Sequence, residues 1–205
     1  MADFDPKVLR NFSYGLFVLT ARDGGKDNGC IINTAVQVTS EPNRITIAVN
    51  KGNYTHDMVL KTGVFNISVL SEDAKFDTFK HFGFQSGRDV DKAVGITFKR
   101  AANDVIYLDT PEVNAYISGK VIQTIDLGTH TLFIADVVDG EVLNPTASAT
   151  YAYYFANIKP APESKQESKK GWICTICGYI YEGDPLPADF ICPVCKHPAS
   201  DFKKM

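Results

Sequence analysis

The chain has 205 residues and a mass of 22.6 kDa, enough for one medium domain or for a domain with a small module attached. A net charge of -3 and a pI near 5.8 exclude the basic face of a nucleic-acid binder, and no apolar run approaches the ~20 residues of a membrane helix. Met1-Ala2-Asp3-Phe4-Asp5-Pro6 is acidic and lacks the basic start and apolar stretch of a secretory leader, so a cytoplasmic protein is expected.

In chain order, Asp5-Pro6 supplies a cap and a first-turn proline ahead of a short helix over 7–12. Residues 16–22 alternate and are rich in β-formers, and 23–29 (Asp-Gly-Gly-Lys-Asp-Asn-Gly) has turn chemistry. Strands are predicted over 31–40 and 45–50, parted by Glu41-Pro42-Asn43. Thr55 is placed to cap a helix over 56–62, with Gly63 ending it. Further strands are predicted over 64–70, 113–125 and 131–142, and Ser71 is placed to start a helix reaching about Phe82. Tyr151-Ala-Tyr153-Tyr154-Phe155 reads as a strand packing the body or a dimer. Many strands with a few short helices make the body mainly β, an antiparallel barrel.

Residues 159–170 contain no large apolar side chain, so this stretch reads as a flexible linker of about 40 Å maximum span between a body, 1–158, and a small unit, 171–205. Four of the five cysteines fall in that last unit: Cys174 and Cys177, then Cys192 and Cys195. Each Cys-x-x-Cys turns two thiolates toward one ion, and two pairs build a tetrahedral sulfur site for zinc or iron. Two disulfides are the alternative, disfavoured in a reducing compartment. A metal also explains how so few residues fold. Cys30 lies apart and reads as a small apolar filler.

The wording around these ligands, Trp172-Ile-Cys-Thr-Ile-Cys-Gly-Tyr179-Ile-Tyr181 and Cys192-Pro-Val-Cys195, resembles the short rubredoxin-like domain of rubrerythrins, which implies one iron held by the four cysteines and shuttling single electrons. In the body, three polar segments exceed what strands need. They are Asn28-Gly-Cys-Ile-Ile-Asn33-Thr34, Asn50-Lys51-Gly-Asn-Tyr54-Thr55, and Ser86-Gly-Arg88-Asp-Val-Asp-Lys92. The second ends at a helix N-terminus, which suits a phosphate. With Tyr14-Gly-x-x-Val-x-Thr20 and Gly128-x-His130-x-x-Phe133, these segments resemble the flavin reductase-like FMN-binding split barrels, including flavoredoxins.

That resemblance implies a homodimer with one FMN per subunit near the interface. It assigns Asn33, Thr34, Lys51, Thr55 and Lys92 to the flavin or its phosphate, with Asn28, Asn50, Ser86, Arg88 and His130 as further candidates. Thr34 stands where some relatives carry an aromatic side chain beside the flavin ring, and Tyr54, Tyr154 and Phe155 are candidates to replace it. The fusion is similar to that of high-molecular-weight rubredoxins. It implies that NADH or NADPH reduces FMN, and that electrons pass singly to the iron and on to a redox protein such as a flavodiiron NO or O2 reductase. Two alternatives stay open: an electron carrier with no nicotinamide site, and a flavin or ferric reductase whose tail is a structural zinc ribbon.

Overall fold

A computed structural model describes residues 5–160 and 171–205; residues 161–170 of the expected linker lie outside the described residues. After a 3-10 turn at Pro6–Asn11, the body runs β1 (Phe17–Asp23), β2 (Lys26–Ile32), β3 (Val36–Ser40), β4 (Asn43–Asn50), α1 (Tyr54–Thr62), β5 (Val64–Leu70) and α2 (Phe76–Gly83). Short strands β6 (Phe98–Arg100) and β7 (Ile106–Leu108) precede the long hairpin β8 (Val113–Asp126) and β9 (His130–Val142). The body ends in α3 (Tyr151–Tyr153), which passes into a π turn at Tyr154–Ile158. The metal unit holds β10 (Trp172–Cys174), β11 (Ile180–Tyr181) and β12 (Phe202–Lys204).

Seven strands form one sheet in the order β2-β1-β5-β8-β9-β4-β3, every neighbour antiparallel. The period-2 pattern in β4 buries Ile45, Ile47 and Val49 and turns the residues between them outward. These three pack in one cluster with Leu19 and Ala21 of β1, Cys30 and Ile32 of β2, Phe65 and Ile67 of β5, and Phe133 of β9. Side chains from both ends of the sheet share this interior, so the sheet is curled into a barrel. Met58 and Val59 of α1 join the same core. Each such side chain contributes roughly 1.5–3 kcal/mol of burial. A second cluster lies outside the barrel wall, where α2 and the π turn bring Phe79, Phe82 and Tyr154 onto Val18, Leu70 and Val113.

Several local expectations are corrected. Residues 26–29 are not turn but the start of β2: Gly24 (φ 56°) and Gly25 (φ 85°) alone make the two-residue turn, and Asp23 pairs with Lys26. The polar start of β2 survives burial because Arg22 and Arg100 take Asp27 at 2.8 and 2.6 Å, while Asn28 donates to Thr55 Oγ1 at 2.9 Å. The single strand expected over 31–40 is broken at 33–35, where Thr34 Oγ1 donates to the Ala48 carbonyl and accepts from the Ala48 N–H. Asn53, not Thr55, precedes α1; Thr55 is inside the helix and fully buried. Ser71 bonds to the 110–112 segment, so α2 begins four residues after the expected start region, at Phe76. The aromatic stretch at 151–155 is helical instead of extended. Thr150 caps it by accepting from the Tyr153 N–H, and Tyr154 packs on Phe79 with ring centroids 4.5 Å apart.

Lys92 is 3% exposed, and its ammonium donates to the Gly29 carbonyl at 2.9 Å and the Phe82 carbonyl at 2.8 Å. It covers an unpaired carbonyl on the outer edge of β2 and the C-terminal end of α2 together, an internal strut more than a surface cation. Burial holds its pKa below the usual lysine value. Lys92→Met should strip both carbonyls of their donor and cost about 1–3 kcal/mol. Urea unfolding should show this as a lower midpoint at unchanged slope.

Candidate functional site

The polar segments gather at one end of the barrel, where β4 leads into α1. Asn50, the last residue of β4, lies opposite His130, the first of β9. The Lys51 N–H donates to the Thr129 carbonyl at 3.0 Å, and the Lys51 ammonium reaches Asp126 at 2.6 Å. That pairing lowers the Asp126 pKa, the Lys51 hydrogen bond first and the Gly128 N–H next. His130 is half-buried, and its Nδ1 meets Thr129 Oγ1 at 2.9 Å. Burial holds its pKa below the ordinary value, helped by His197 of the metal unit and by His56.

A second group sits on the other side of the α1 N-terminus. Tyr54 is flanked by two cations, Lys26 Nζ 5.0 Å and the Arg88 guanidinium carbon 4.9 Å from its ring centroid. Lys26 also donates to the Gly87 carbonyl at 2.7 Å, which ties the 84–92 loop to the hairpin. Ser86 Oγ accepts from the Arg88 N–H within that loop. Arg88 pairs with Asp57 at 2.5 Å, Asp57 with His56 Nδ1 at 3.0 Å, and His56 Nε2 with Thr131 Oγ1 at 2.8 Å. This chain of contacts links the two groups through α1. The His56 bond comes first, and Arg88 adds to it, in lowering the Asp57 pKa.

The structure thus brings Asn28, Tyr54, Thr55, Ser86 and Arg88 together, and Asn50, Lys51 and His130 together. Thr34 instead binds the β4 backbone, Asn33 adjoins it at the break after β2, and Lys92 is internal. Lys26 and Asp57 were missed from sequence. Pairing of Asp23 with Lys26 across a Gly-Gly turn was the signal that would have put Lys26 at the barrel rim. Residues here fit an anionic, ring-bearing group. Asn53 gives α1 no side-chain cap; its carbonyl takes the His56 N–H at 3.0 Å, which leaves the Tyr54 and Thr55 N–H groups for another acceptor. The Tyr54 ring and its two cations stand beside them, while Asn28 Oδ1, buried without a hydrogen-bond partner, lies against Gly87.

In the metal unit the four Sγ atoms lie within 4.8 Å of one another. Cys174 and Cys195 are 3.6 Å apart and Cys177 and Cys192 3.5 Å, far beyond a disulfide bond and close to the roughly 3.8 Å edge of a tetrahedron with 2.3 Å metal–sulfur bonds. The two knuckles repeat one geometry. Gly178 N–H bonds to the Cys174 carbonyl and Lys196 N–H to the Cys192 carbonyl, both at 2.9 Å, and both residues have positive φ (82° and 61°). Backbone N–H groups of Cys177 and Ile176 aim at the Cys174 sulfur, and that of Tyr179 aims at the Cys177 sulfur. Trp172, Tyr179, Tyr181, Phe190 and Phe202 wall the cluster off. The donor set and spacing fit one tetrahedral thiophilic ion. Desolvation raises the Cys174 pKa, and the contact of Cys177 with Cys195, then burial, raise that of Cys177.

A curled antiparallel barrel with an anion-and-ring cradle, joined to a tetrathiolate unit, defines a two-centre redox protein. The chain belongs to the flavin reductase-like domain family, whose model matches residues 9–162; the rubredoxin-like domain of rubrerythrin matches residues 172–203. It is 36% identical to a high molecular weight rubredoxin of Moorella thermoacetica over 93% of this chain and 95% of that one. It is 37% identical to a ferric-chelate reductase (NAD(P)H) of Archaeoglobus fulgidus over 73% of this chain and 88% of that one. Among solved structures, an FMN-binding protein from Thermus thermophilus with bound 1-cyclohex-2-enone shares the fold, with a TM-score of 0.62 at 21% identity over 70% of this chain and 78% of that one.

Gly178→Ala forces a Cβ into the left-handed region at about 1 kcal/mol, so a chelator should strip the metal roughly 5-fold more readily. Lys196→Gly should slow the loss by a similar factor. Because protons compete for raised thiols, metal loading should release protons and weaken as pH falls, which a colorimetric chelator titration at several pH values measures.

Proposed function

We propose that this protein is an NAD(P)H-dependent flavin reductase that passes electrons one at a time through its own thiolate-bound iron to a protein acceptor. The observation that carries the reading is the presence on one chain of the barrel cradle and the tetrathiolate cage, with Lys159 at the end of the barrel bonded to the Ile176 carbonyl inside the cage. The names of two relatives support its halves, a rubredoxin over nearly the whole chain and an NAD(P)H ferric-chelate reductase over the barrel. When bound, FMN accepts a hydride and releases electrons singly, and iron in four thiolates carries one electron.

The chain's residues do the holding. The Tyr54 and Thr55 N–H groups at the α1 N-terminus, with Lys26, Arg88 and Lys51 near them, would take the flavin phosphate. Tyr54 offers an aromatic face, and Asn28, Asn50, Thr55, Ser86 and His130 supply polar groups around that end, with Asn33 and Thr34 at the break after β2 beyond them. No protonated acid or nucleophile is required, since hydride transfer needs alignment and exclusion of water. The division into 1–158, a linker 159–170 and 171–205 belongs to the same reading. So does a homodimer, supported by exposed Val36, Val38, Ile122, Ile125 and Val138 on β3, β8 and β9. Free thiols suit a cytoplasmic setting, and a flavodiiron reductase is the acceptor class we favour.

The test is an absorbance spectrum of the native protein before and after anaerobic NADH or NADPH. A flavin band that bleaches at turnover rates, followed by loss of the red iron–thiolate absorbance, is the expected course. A flavin band that nicotinamide leaves intact refutes the reductase, and a colourless zinc-filled cage refutes the second half. Cys177→Ser should keep nicotinamide-driven bleaching while abolishing reduction of the downstream acceptor.

A further inference from the structure

Lys159 closes the π turn at the end of the barrel, where its N–H donates to the Tyr154 carbonyl at 2.8 Å and its ammonium lies 5.0 Å from the Phe155 ring centroid. From there the ammonium crosses to the metal unit and donates to the Ile176 carbonyl at 2.8 Å. Ile176 sits inside the first knuckle, between Cys174 and Cys177. The peptide that carries its carbonyl also carries the Cys177 N–H, and that N–H is aimed at the Cys174 sulfur. An ammonium on the oxygen of a peptide draws electron density from the nitrogen and makes its N–H a stronger donor. Lys159 is therefore joined to a metal ligand through a single peptide group, and its half-buried charge is acted on by Cys177, Cys174 and Cys195.

Resting on the function proposed above, we propose that Lys159 is a positioning residue that docks the thiolate unit on the end of the barrel and, through the Ile176–Cys177 peptide, favours the reduced state of the metal. Four thiolates around a trivalent iron leave one net negative charge; an electron received from reduced flavin makes it two. A cation that strengthens the hydrogen bond to sulfur and stands near that charge stabilises the second state more than the first. Linkage makes this reciprocal: whatever factor docking contributes to reduction, reduction contributes to docking. The unit then rests against the barrel after taking its electron and loosens once the electron has left for an acceptor.

Two measurements on the full-length chain test this with Lys159→Gln, which keeps a donor but removes the charge, and Lys159→Arg, which keeps both. In the zinc-loaded protein, backbone 15N relaxation should show residues 171–205 tumbling with the barrel in the native chain and in Lys159→Arg, and faster than the barrel in Lys159→Gln. In the iron-loaded protein, spectroelectrochemical titration should give a more negative midpoint for the metal centre in Lys159→Gln and a native midpoint in Lys159→Arg. Independent tumbling of the unit in the native protein overturns the proposal, as does a Lys159→Gln variant with native tumbling and native midpoint. Neither measurement uses nicotinamide. Failure of NAD(P)H to bleach the flavin, with both shifts seen, would sink only the reductase reading; normal bleaching with no shift would sink only this one.

Discussion

Four sulfurs cannot share a space 4.8 Å across as thiolates unless a cation sits among them. That constraint organises the C-terminal unit. Its core is small: Cys174, Cys192 and Phe202 are buried, and a ring of partly exposed aromatics covers them. Its sheet has three strands of two or three residues each. So little apolar burial does not offset the ordering of some thirty-five residues, and the metal–sulfur bonds supply the remainder. The same bonds make the unit a redox centre, because the knuckle N–H groups that hold the sulfurs also stabilise the charge that accumulates on them.

The barrel meets the opposite constraint. Its interior is an apolar cluster, and its polar segments gather at the rim, where β4 ends and α1 begins. Two local facts leave that rim receptive. Asn53 does not cap α1 with its side chain, and Asn28 reaches up from β2 with one amide atom spent on Thr55 and the other unpaired. An orphaned buried acceptor costs on the order of 1–3 kcal/mol, and here Gly87, which has no Cβ, closes over it. The run from Thr131 through His56 and Asp57 to Arg88 fixes the orientation of the cations around this gap.

The parts of this architecture that rest on local chemistry were legible in the sequence. The strand at Val64–Leu70 has the bounds expected of it, and the long hairpin differs by one residue at Asp126 and at His130. The cysteine cage was legible because its ligand spacing and turn residues are all close in sequence. What escaped was set by distant partners. Asp27 and Asn28 read as turn residues until Arg100 and Thr55, far along the chain, supply the bonds that let them lie in a strand. The break at 33–35 depends on a hydroxyl bonded to Ala48. Tyr151–Phe155 has strand propensity, yet packing of Tyr154 against Phe79 and a cap at Thr150 prevail. Thr150 was the one local sign of that helix.

The two units need only a weak mutual affinity. Membership of one chain holds one unit near the other at an effective concentration of order millimolar. A contact whose dissociation constant between separate molecules is about ten-fold below that concentration is then mostly formed within one chain yet still opens, and a few hydrogen bonds with some apolar contact are enough to reach it. Tighter docking would keep the metal against its own flavin and bar the acceptor; looser docking would leave electron transfer to chance encounters. A half-buried Lys159 bonded to one knuckle carbonyl is of the strength such a balance requires. Because that contact lies beside the sulfurs and not on the far side of the unit, the charge that moves with the electron acts on the same bond that sets the balance.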